Sequence, residues 1–470
     1  MKVIRYLLAG VLCFCFVQHL LAGRKITKKP NILLINVDDL GWNNTGFMGS
    51  EYYETPNLDA LARDAIIFTN AYAVASNCAP SRACLMSGQW TPRHGIYTVD
   101  SSERGKSKNR KLIPTANTII LPDSQYVVAE ALHDAGYYTC HAGKWHISDD
   151  PTTQGFDVNI GGCHSGSPKS YYPPYLNVPL NPPTDDYYLT NLVMDKTVEF
   201  IETVGDEKPF FLNYWPYAVH TPLQPIEKLM DKYQNKPTSK GHTNANYAAM
   251  IENLDTQIGR LIAALKAAGK FNNTFIIFTS DNGGRYATTK QWPLRSGKGA
   301  YYEGGTREPT FVYWKGKIKG GERSDIPITQ LDFYPTLLDV AGVKKPVDKV
   351  LDGQSIYPLL MGKKRMKERP LFWHFPIYLQ AQVKGGDPST QDPLFRTRPG
   401  SSVRLGDWKL IQYFENNDLE LYNLKEDVGE ENNLAEQDPK KTKQLLELLE
   451  DWRKETKAPV PSELNPGYQN

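Results

Sequence analysis

A chain of 470 residues, 40% hydrophobic and 23% charged, is long enough to bury a large core and has the make-up of an ordinary globular protein. Its 54 Lys and Arg stand against 52 Asp and Glu, a formal net charge of +2. That near balance excludes a protein that holds a nucleic-acid backbone by bulk positive charge, so any anionic ligand must be met by charge placed locally.

Residues 1–23 begin with Lys2 and Arg5, continue with the apolar run "LLAGVLCFCFV" and close on small residues in "HLLAG". That order predicts a secretory signal peptide, and the run is too short for a membrane span. Removing it takes away two positive charges and no acids, leaving 52 basic against 52 acidic side chains. The mature chain is then expected to be secreted or periplasmic, with no stable membrane insertion. Four cysteines remain, Cys78, Cys84, Cys140 and Cys163. They are too few for a disulfide scaffold in so long a chain. If chemistry consumes Cys78, at most one pair can form among the other three.

From about residue 30 to 345, short runs rich in β-formers alternate with helical patterns. "NILLINV", "GYYTCHA", "PFFLNYW", "TFIIFTS" and "EPTFVYW" read as strands. "NLDALARDA", "QYVVAEALHDAG" and "AAMIENLDTQIGRLIAALKAAG" read as helices between them. The alternation predicts an α/β fold with a mainly parallel sheet covered by helices. No internal repeat or low-complexity tract interrupts it.

The pattern changes after about residue 364. "GKKRMKERP" is a basic connector, followed by "LFWHFP", "SSVRLGDWKLIQYF" and "LELYNL", strand-like pieces joined by tight turns. The amphipathic stretch "PKKTKQLLELLEDWRKE" closes the chain. This predicts a small antiparallel sheet with one helix packed on it. The expected organisation is a signal peptide at 1–23, a catalytic α/β domain at 24–364 and a C-terminal α+β subdomain at 365–470.

Chemistry-bearing residues follow the predicted strands. "NILLINV" runs straight into Asp38-Asp39, and "TFIIFTS" into Asp281-Asn282. In open α/β sheets, functional groups gather beyond the carboxyl ends of the strands. One Asp-Asp pair reads as a turn or a helix cap. Two such pairs in the same context read as four hard oxygen donors, a set suited to Ca²⁺ or Mg²⁺ and not to zinc. Lys144 and His146 follow "GYYTCHA", His220 follows "PFFLNYW", and Lys298 sits in the glycine-rich "RSGKGAYYEGGTREP". Cations and imidazoles near a metal site would hold an oxyanion and supply proton transfer.

"CAPSRACLMSG", residues 78–88, places a cysteine at a helix start. Pro80 fits the first turn, where its missing N–H is no loss. Cys78 then stands just before the helix, at the positive end of its dipole. Arg82 reaches back toward the same point with a planar fork of donors. The arrangement presents one side chain beside an oxyanion; on the residues alone, a thiolate nucleophile and a buried structural cysteine both remain open.

This stretch resembles the C-x-P-S-R signature of the type I sulfatases, within the alkaline phosphatase superfamily. "NVDDLGW", "GKWH", "VHTP", "SDNGG", "KGAYYEGGTREP", "GDWKLI" and "LYNLKEDVGEENNL" match that family in kind and order, across nearly the whole mature chain. The resemblance implies an alkaline-phosphatase-like fold and hydrolysis of sulfate esters. It implies that a formylglycine-generating enzyme oxidises Cys78 to formylglycine (3-oxoalanine) during export. It also implies one Ca²⁺ per chain, held by Asp38, Asp39, Asp281 and Asn282 with residue 78 completing the site. One hydroxyl of the formylglycine hydrate would attack sulfur, activated by the metal and Asp281. The alcohol would leave with a proton from His220 or Lys298. His146 would deprotonate the second hydroxyl to expel sulfate, while Arg82 and Lys144 hold the formylglycine. Two other readings are open: a phosphonate or phosphate ester hydrolase of the same superfamily, and an inactive relative that binds sulfated glycans.

Loops around such a site would choose the substrate. "GGCHSGSPKSYYPPY" with His164, "NGGRY" with Arg285 and "FWHFP" with His374 are the candidate walls. Their polar and aromatic character suits a sugar better than a steroid or a lipid. The expected substrate is a sulfated carbohydrate, of galactose type.

Overall fold

The computed structural model describes residues 28–363, 366–384 and 387–469; the expected signal peptide lies outside them. Nine strands form the large sheet: β1 (Asn31–Val37), β2 (Ile66–Tyr72), β3 (Tyr138–Gly143), β4 (Val158–Ile160), β5 (Phe210–Trp215), β6 (Thr274–Ser280), β7 (Arg307–Trp314), β8 (Glu322–Ser324) and β9 (Ile328–Thr329). Their order is β4-β3-β5-β1-β6-β7-β2-β8, with β9 also paired to β2. All of β1 is buried, and its alternate residues enter different cores. Leu33, Ile35 and Val37 go to one, Ile32 and Leu34 to the other. A strand apolar on both faces belongs in the middle of a covered sheet, and β1 lies between β5 and β6.

Six helices supply most of the cover: α1 (Pro56–Arg63), α2 (Cys78–Ser87), α3 (Val128–Asp134), α4 (Leu189–Thr203), α5 (Ala245–Ala267) and α6 (Phe333–Ala341). The apolar residues of α1, α4 and α5 share the core of Leu33, Ile35 and Val37. Those of α2, α3 and α6 share the core of Ile32 and Leu34. Helices on both faces of a mainly parallel sheet are the arrangement the alternating pattern predicts.

Direction matters most for the site. β4, β3, β5, β1 and β6 run parallel, while β7 is antiparallel to β6 and to β2. The segments after β1, β2, β3, β5 and β6, and the segment before β7, therefore all emerge at one edge of the sheet.

The C-terminal region forms β10 (Leu371–Phe375), β11 (Leu379–Gln380), β12 (Phe395–Thr397), β13 (Gly400–Leu405), β14 (Trp408–Tyr413), β15 (Leu419–Asn423) and α7 (Pro439–Thr456). β10, β13, β14 and β15 make a four-stranded antiparallel sheet. Leu445, Leu449 and Trp452 of α7 pack on Phe372, Val403, Leu410 and Leu421 on one of its faces. Trp452 stacks on Phe372 with centroids 4.7 Å apart, a pairing that contributes about 0.5–1.5 kcal/mol beyond burial. The opposite face, with Trp373, Phe375 and Ile411, packs on Tyr72, Tyr301 and Tyr302 of the large domain. Lys409, fully buried there, bridges Glu303 at 3.0 Å and Glu430 at 2.8 Å.

β2, with Thr69 and Asn70 inside its run, and the short pair β11–β12 escape the sequence pattern. Cys78, Cys84, Cys140 and Cys163 are all unpaired thiols. Among the described residues no helix is long and apolar enough to cross a membrane.

Candidate active site

The shared sheet edge brings Asp38, Asp39, Cys78, Arg82, Lys144, His146, His220, Asp281, Asn282 and Lys298 together. Cys78 is the first residue of α2, one position further into the helix than its sequence predicts, and Asn77 is the N-cap. Arg82, one turn on, donates from Nε to Asp281 Oδ2 at 2.9 Å and from Nη1 to the Lys144 carbonyl at 3.0 Å. Lys144 Nζ lies 2.6 Å from Asp38 Oδ2. Lys298 Nζ lies 2.7 Å from Asp39 Oδ1 and donates to Cys78 Sγ at 3.0 Å. Asn282 Nδ2 donates to Asp39 Oδ1 at 2.8 Å.

These charges set one another's protonation. Burial raises the Asp39 carboxyl, but Lys298, His220 and Lys144 outweigh it and hold the group below the usual carboxylate range. At Asp281, burial and then Asp38 win over Arg82 and Lys144, pushing it up to about 6. Burial raises the Cys78 thiol, but Lys144 and Lys298 outweigh burial and bring it down to about 6. Residue 78 therefore sits where negative charge is favoured, as expected for a group that reacts as an anion.

The two histidines are poised differently. His146 is pushed well below its usual range by burial first, then by Lys144 and Arg82, so it is held neutral. Its φ of 72° is left-handed, and its Nδ1 is buried with no partner. Such backbone in a non-glycine residue is held in place by its surroundings. His220 is raised: burial and Lys298 oppose its charge, and Asp39 and Asp38 prevail. Its Nδ1 faces the Thr221 carbonyl at 2.8 Å, which leaves Nε2, 3.6 Å from Asp39 Oδ2, toward the site.

The donor set fits a hard cation. Asp38 Oδ1 and Asn282 Oδ1 are buried with no hydrogen bond. Asp38, Asp39, Cys78 and His220 each place a donor atom within 4.8 Å of the others. Orphaned buried oxygens beside carboxylates match the oxygen coordination of Ca²⁺.

Above this centre lies a cavity of about 930 Å³, with Cys78, Asp39, His146, His220 and Lys298 in its lining. Of the three candidate wall residues, His164 and Arg285 line it and His374 does not. His374 is 1% exposed on β10, with Nδ1 2.7 Å from Ser401 Oγ and its carbonyl accepting from Thr91. Its ring lies against Trp452 and Phe414, so "FWHFP" builds the core of the C-terminal sheet. Residues that the sequence does not single out also line the cavity: Arg104, Lys169, Gln380, Gln382 and Arg396. They occupy loops and a short hairpin, with no strand-end position to mark them.

A mixed sheet whose edge collects buried carboxylates, lysines and a helix-borne cysteine fits a hydrolase of the alkaline phosphatase superfamily. The model of the sulfatase family matches residues 30–343, and that of the N-sulphoglucosamine sulphohydrolase C-terminal region matches residues 297–457. The chain is 33% identical to a sulfatase of Formosa agariphila, over 93% of this chain and 90% of that protein. It is 31% identical to human N-acetylgalactosamine-6-sulfatase, covering 76% of this chain and 70% of that one. The crystal structure of Ps i-CgsB in complex with k-i-k-neocarrahexaose is similar at a TM-score of 0.73 and 29% identity, over 90% of this chain and 93% of that one. The chain belongs to the sulfatase family, as a type I sulfatase and so a sulfuric ester hydrolase.

Proposed function

We propose that this sulfatase removes sulfate from a sulfated carbohydrate of galactose type, with residue 78 acting as formylglycine beside one Ca²⁺. The observation that carries this reading is the convergence on Cys78, at the floor of a polar cavity, of Lys298, Asp39 and His220. Relatives named N-acetylgalactosamine-6-sulfatase and a similar structure holding a neocarrahexaose support the carbohydrate class. Asp38, Asp39, Asp281 and Asn282 would hold Ca²⁺, which supplies positive charge to the sulfate oxygens. Formylglycine, when hydrated, supplies one hydroxyl to attack sulfur and a second whose deprotonation lets sulfate leave.

The chain's own groups do the rest. Arg82 and Lys144 place positive charge under residue 78, and Lys298 Nζ lies against it. His220 Nε2 gives its proton to the departing alcohol oxygen. His146, neutral and buried, would take the proton of the second hydroxyl at residue 78 in the later step. Maturation by a formylglycine-generating enzyme and export to a secreted or periplasmic location complete the reading.

Three measurements test it. Peptide mass analysis of protein made with a converting enzyme should show residue 78 lighter by the difference between a thiol and an aldehyde. Metal analysis should find one Ca²⁺ per chain, and a screen of defined sulfated saccharides should find turnover. Full activity with unmodified Cys78, tightly bound zinc, or two ions per chain with phosphate ester turnover would each overturn it.

A further inference from the structure

Next to the reacting centre, the cavity carries a second concentration of positive charge. Arg104, Lys169, Arg285 and Arg396 line it, accompanied by Asp100, while Asp39 is already matched by Lys298. The formal charge of the whole chain is only +2, so this excess is a local placement.

The three arginines come from separate segments. Arg104 lies in the loop after α2, Arg285 in the loop after β6, and Arg396 on β12. They are close enough to act on one another: after burial, Arg104 and then Arg285 bring the Arg396 guanidinium down to about 10, against the opposing pull of Asp39 and Cys78. Arg396 donates from Nε to the Gln380 carbonyl at 2.9 Å and from Nη1 to the Lys298 carbonyl at 3.3 Å. Among the described residues no carboxylate forms an ion pair with Arg285 or Arg396. Arg104 has a loose pair with Asp100, 3.8 Å away and 74% exposed, which contributes little.

Gly299 shows how near this cluster is to the chemistry. A Cβ added there would stand 3.1 Å from Arg396 Nη1 and 3.3 Å from its Cδ. The arginine therefore lies along the backbone one residue from Lys298, whose Nζ touches Cys78 Sγ. Like charges whose nearby acids are an exposed Asp100 and an Asp39 already paired with Lys298 still repel one another, and a bound anion relieves that repulsion. Planar guanidinium forks match the oxygens of sulfate and carboxylate. Gln382 Oε1, buried and unpartnered in the same wall, is an acceptor for a sugar hydroxyl.

We propose that Arg104, Arg285 and Arg396 form a second anion subsite, which takes a further sulfate or a uronate carboxylate of the same saccharide. The substrate then carries at least two anionic groups, one cleaved and one recognised. This rests on the carbohydrate sulfatase reading above and narrows it.

The test uses three disaccharides: one with a single sulfate, its disulfated counterpart, and a monosulfated one with a uronate neighbour. The formylglycine-bearing enzyme should favour one of the doubly anionic substrates over the first by roughly 10–100-fold in kcat/KM, the size of one or two charge-assisted hydrogen bonds. Preference for the disulfated sugar identifies a sulfate subsite, and preference for the uronate a carboxylate subsite. Arg396→Gln, Arg104→Gln and Arg285→Gln should each lower that preference ratio about tenfold. Three substrates handled alike, or ratios unchanged in all three variants, would overturn the subsite. Should the enzyme turn over no sulfate ester, including an aryl sulfate, the sulfatase chemistry fails. Calorimetric binding of the same three disaccharides to wild type and variants then decides the subsite by the same ratios.

Discussion

Arg82 meets Asp281 with two nitrogens on one oxygen: Nε and Nη2 lie 2.9 and 2.8 Å from Oδ2. Both side chains are fully buried. Arg82 belongs to the helix that carries Cys78, and Asp281 directly follows β6, the strand whose end also bears Asn282. The pair therefore ties the helix start at Cys78 to the strand end that carries Asp281 and Asn282. The Trp215 ring, 5.0 Å from the guanidinium, closes its other side.

Removing one partner of such a pair strands a buried charge. Arg82→Met should destabilise the fold by about 3–5 kcal/mol, read as a shift in the urea midpoint. Arg82→Lys keeps a charge without the fork and should lose less. An unchanged midpoint for Arg82→Met would show that the pair does not hold α2.

Gly166 faces His146. A Cβ there would stand 2.5 Å from His146 Nε2 and 2.6 Å from its Cε1, closer than real contacts allow. Gly166→Ala should displace the imidazole and leave the core untouched. A shift of about 1 Å costs on the order of 100-fold in turnover. Wild-type kcat in a crystallographically verified displaced variant would remove His146 from the proton-transfer step.

His220 as proton donor implies sensitivity to the leaving group. A sugar alkoxide needs that proton, and an activated aryl oxide needs it far less. His220→Ala should cut turnover of a sulfated sugar by roughly 10²–10⁴-fold and an aryl sulfate much less. Equal losses on both substrates would assign His220 to binding.

Glu430 gives the fold a pH dependence away from the site. Burial, and then the neighbouring Glu303, outweigh Lys409 and push its carboxyl from 4.5 up to about 7. Between those values the folded protein holds a proton that the unfolded chain has released. Stability should therefore fall as pH rises from 4.5 toward 7 and level off above. Glu430→Gln should flatten that slope in melting temperature; the same slope in the variant would place its origin elsewhere.

Much of the site is legible because it is written locally. A strand such as "NILLINV" and the Asp38-Asp39 that follows it occupy nine consecutive residues, and the helix start at "CAPSRACLMSG" needs eleven. Period, turn chemistry and strand-end position operate over that range, so the α/β class and the gathering of Asp38, Asp39, Asp281, Asn282 and Cys78 at one sheet edge could be read before any contact was known. His374 was misplaced for the same reason: a histidine between aromatics looks alike in a pocket wall and a sheet core, and burial against Trp452 and Phe414 distinguishes them. The antiparallel course of β7, which returns Lys298 to the edge holding Asp39, appears only in the sheet pairing. Arg104 and Arg396 are 292 positions apart in the chain and line one cavity. No local period relates them, because their meeting depends on the docking of the C-terminal sheet against the large domain, a packing outcome of the whole chain.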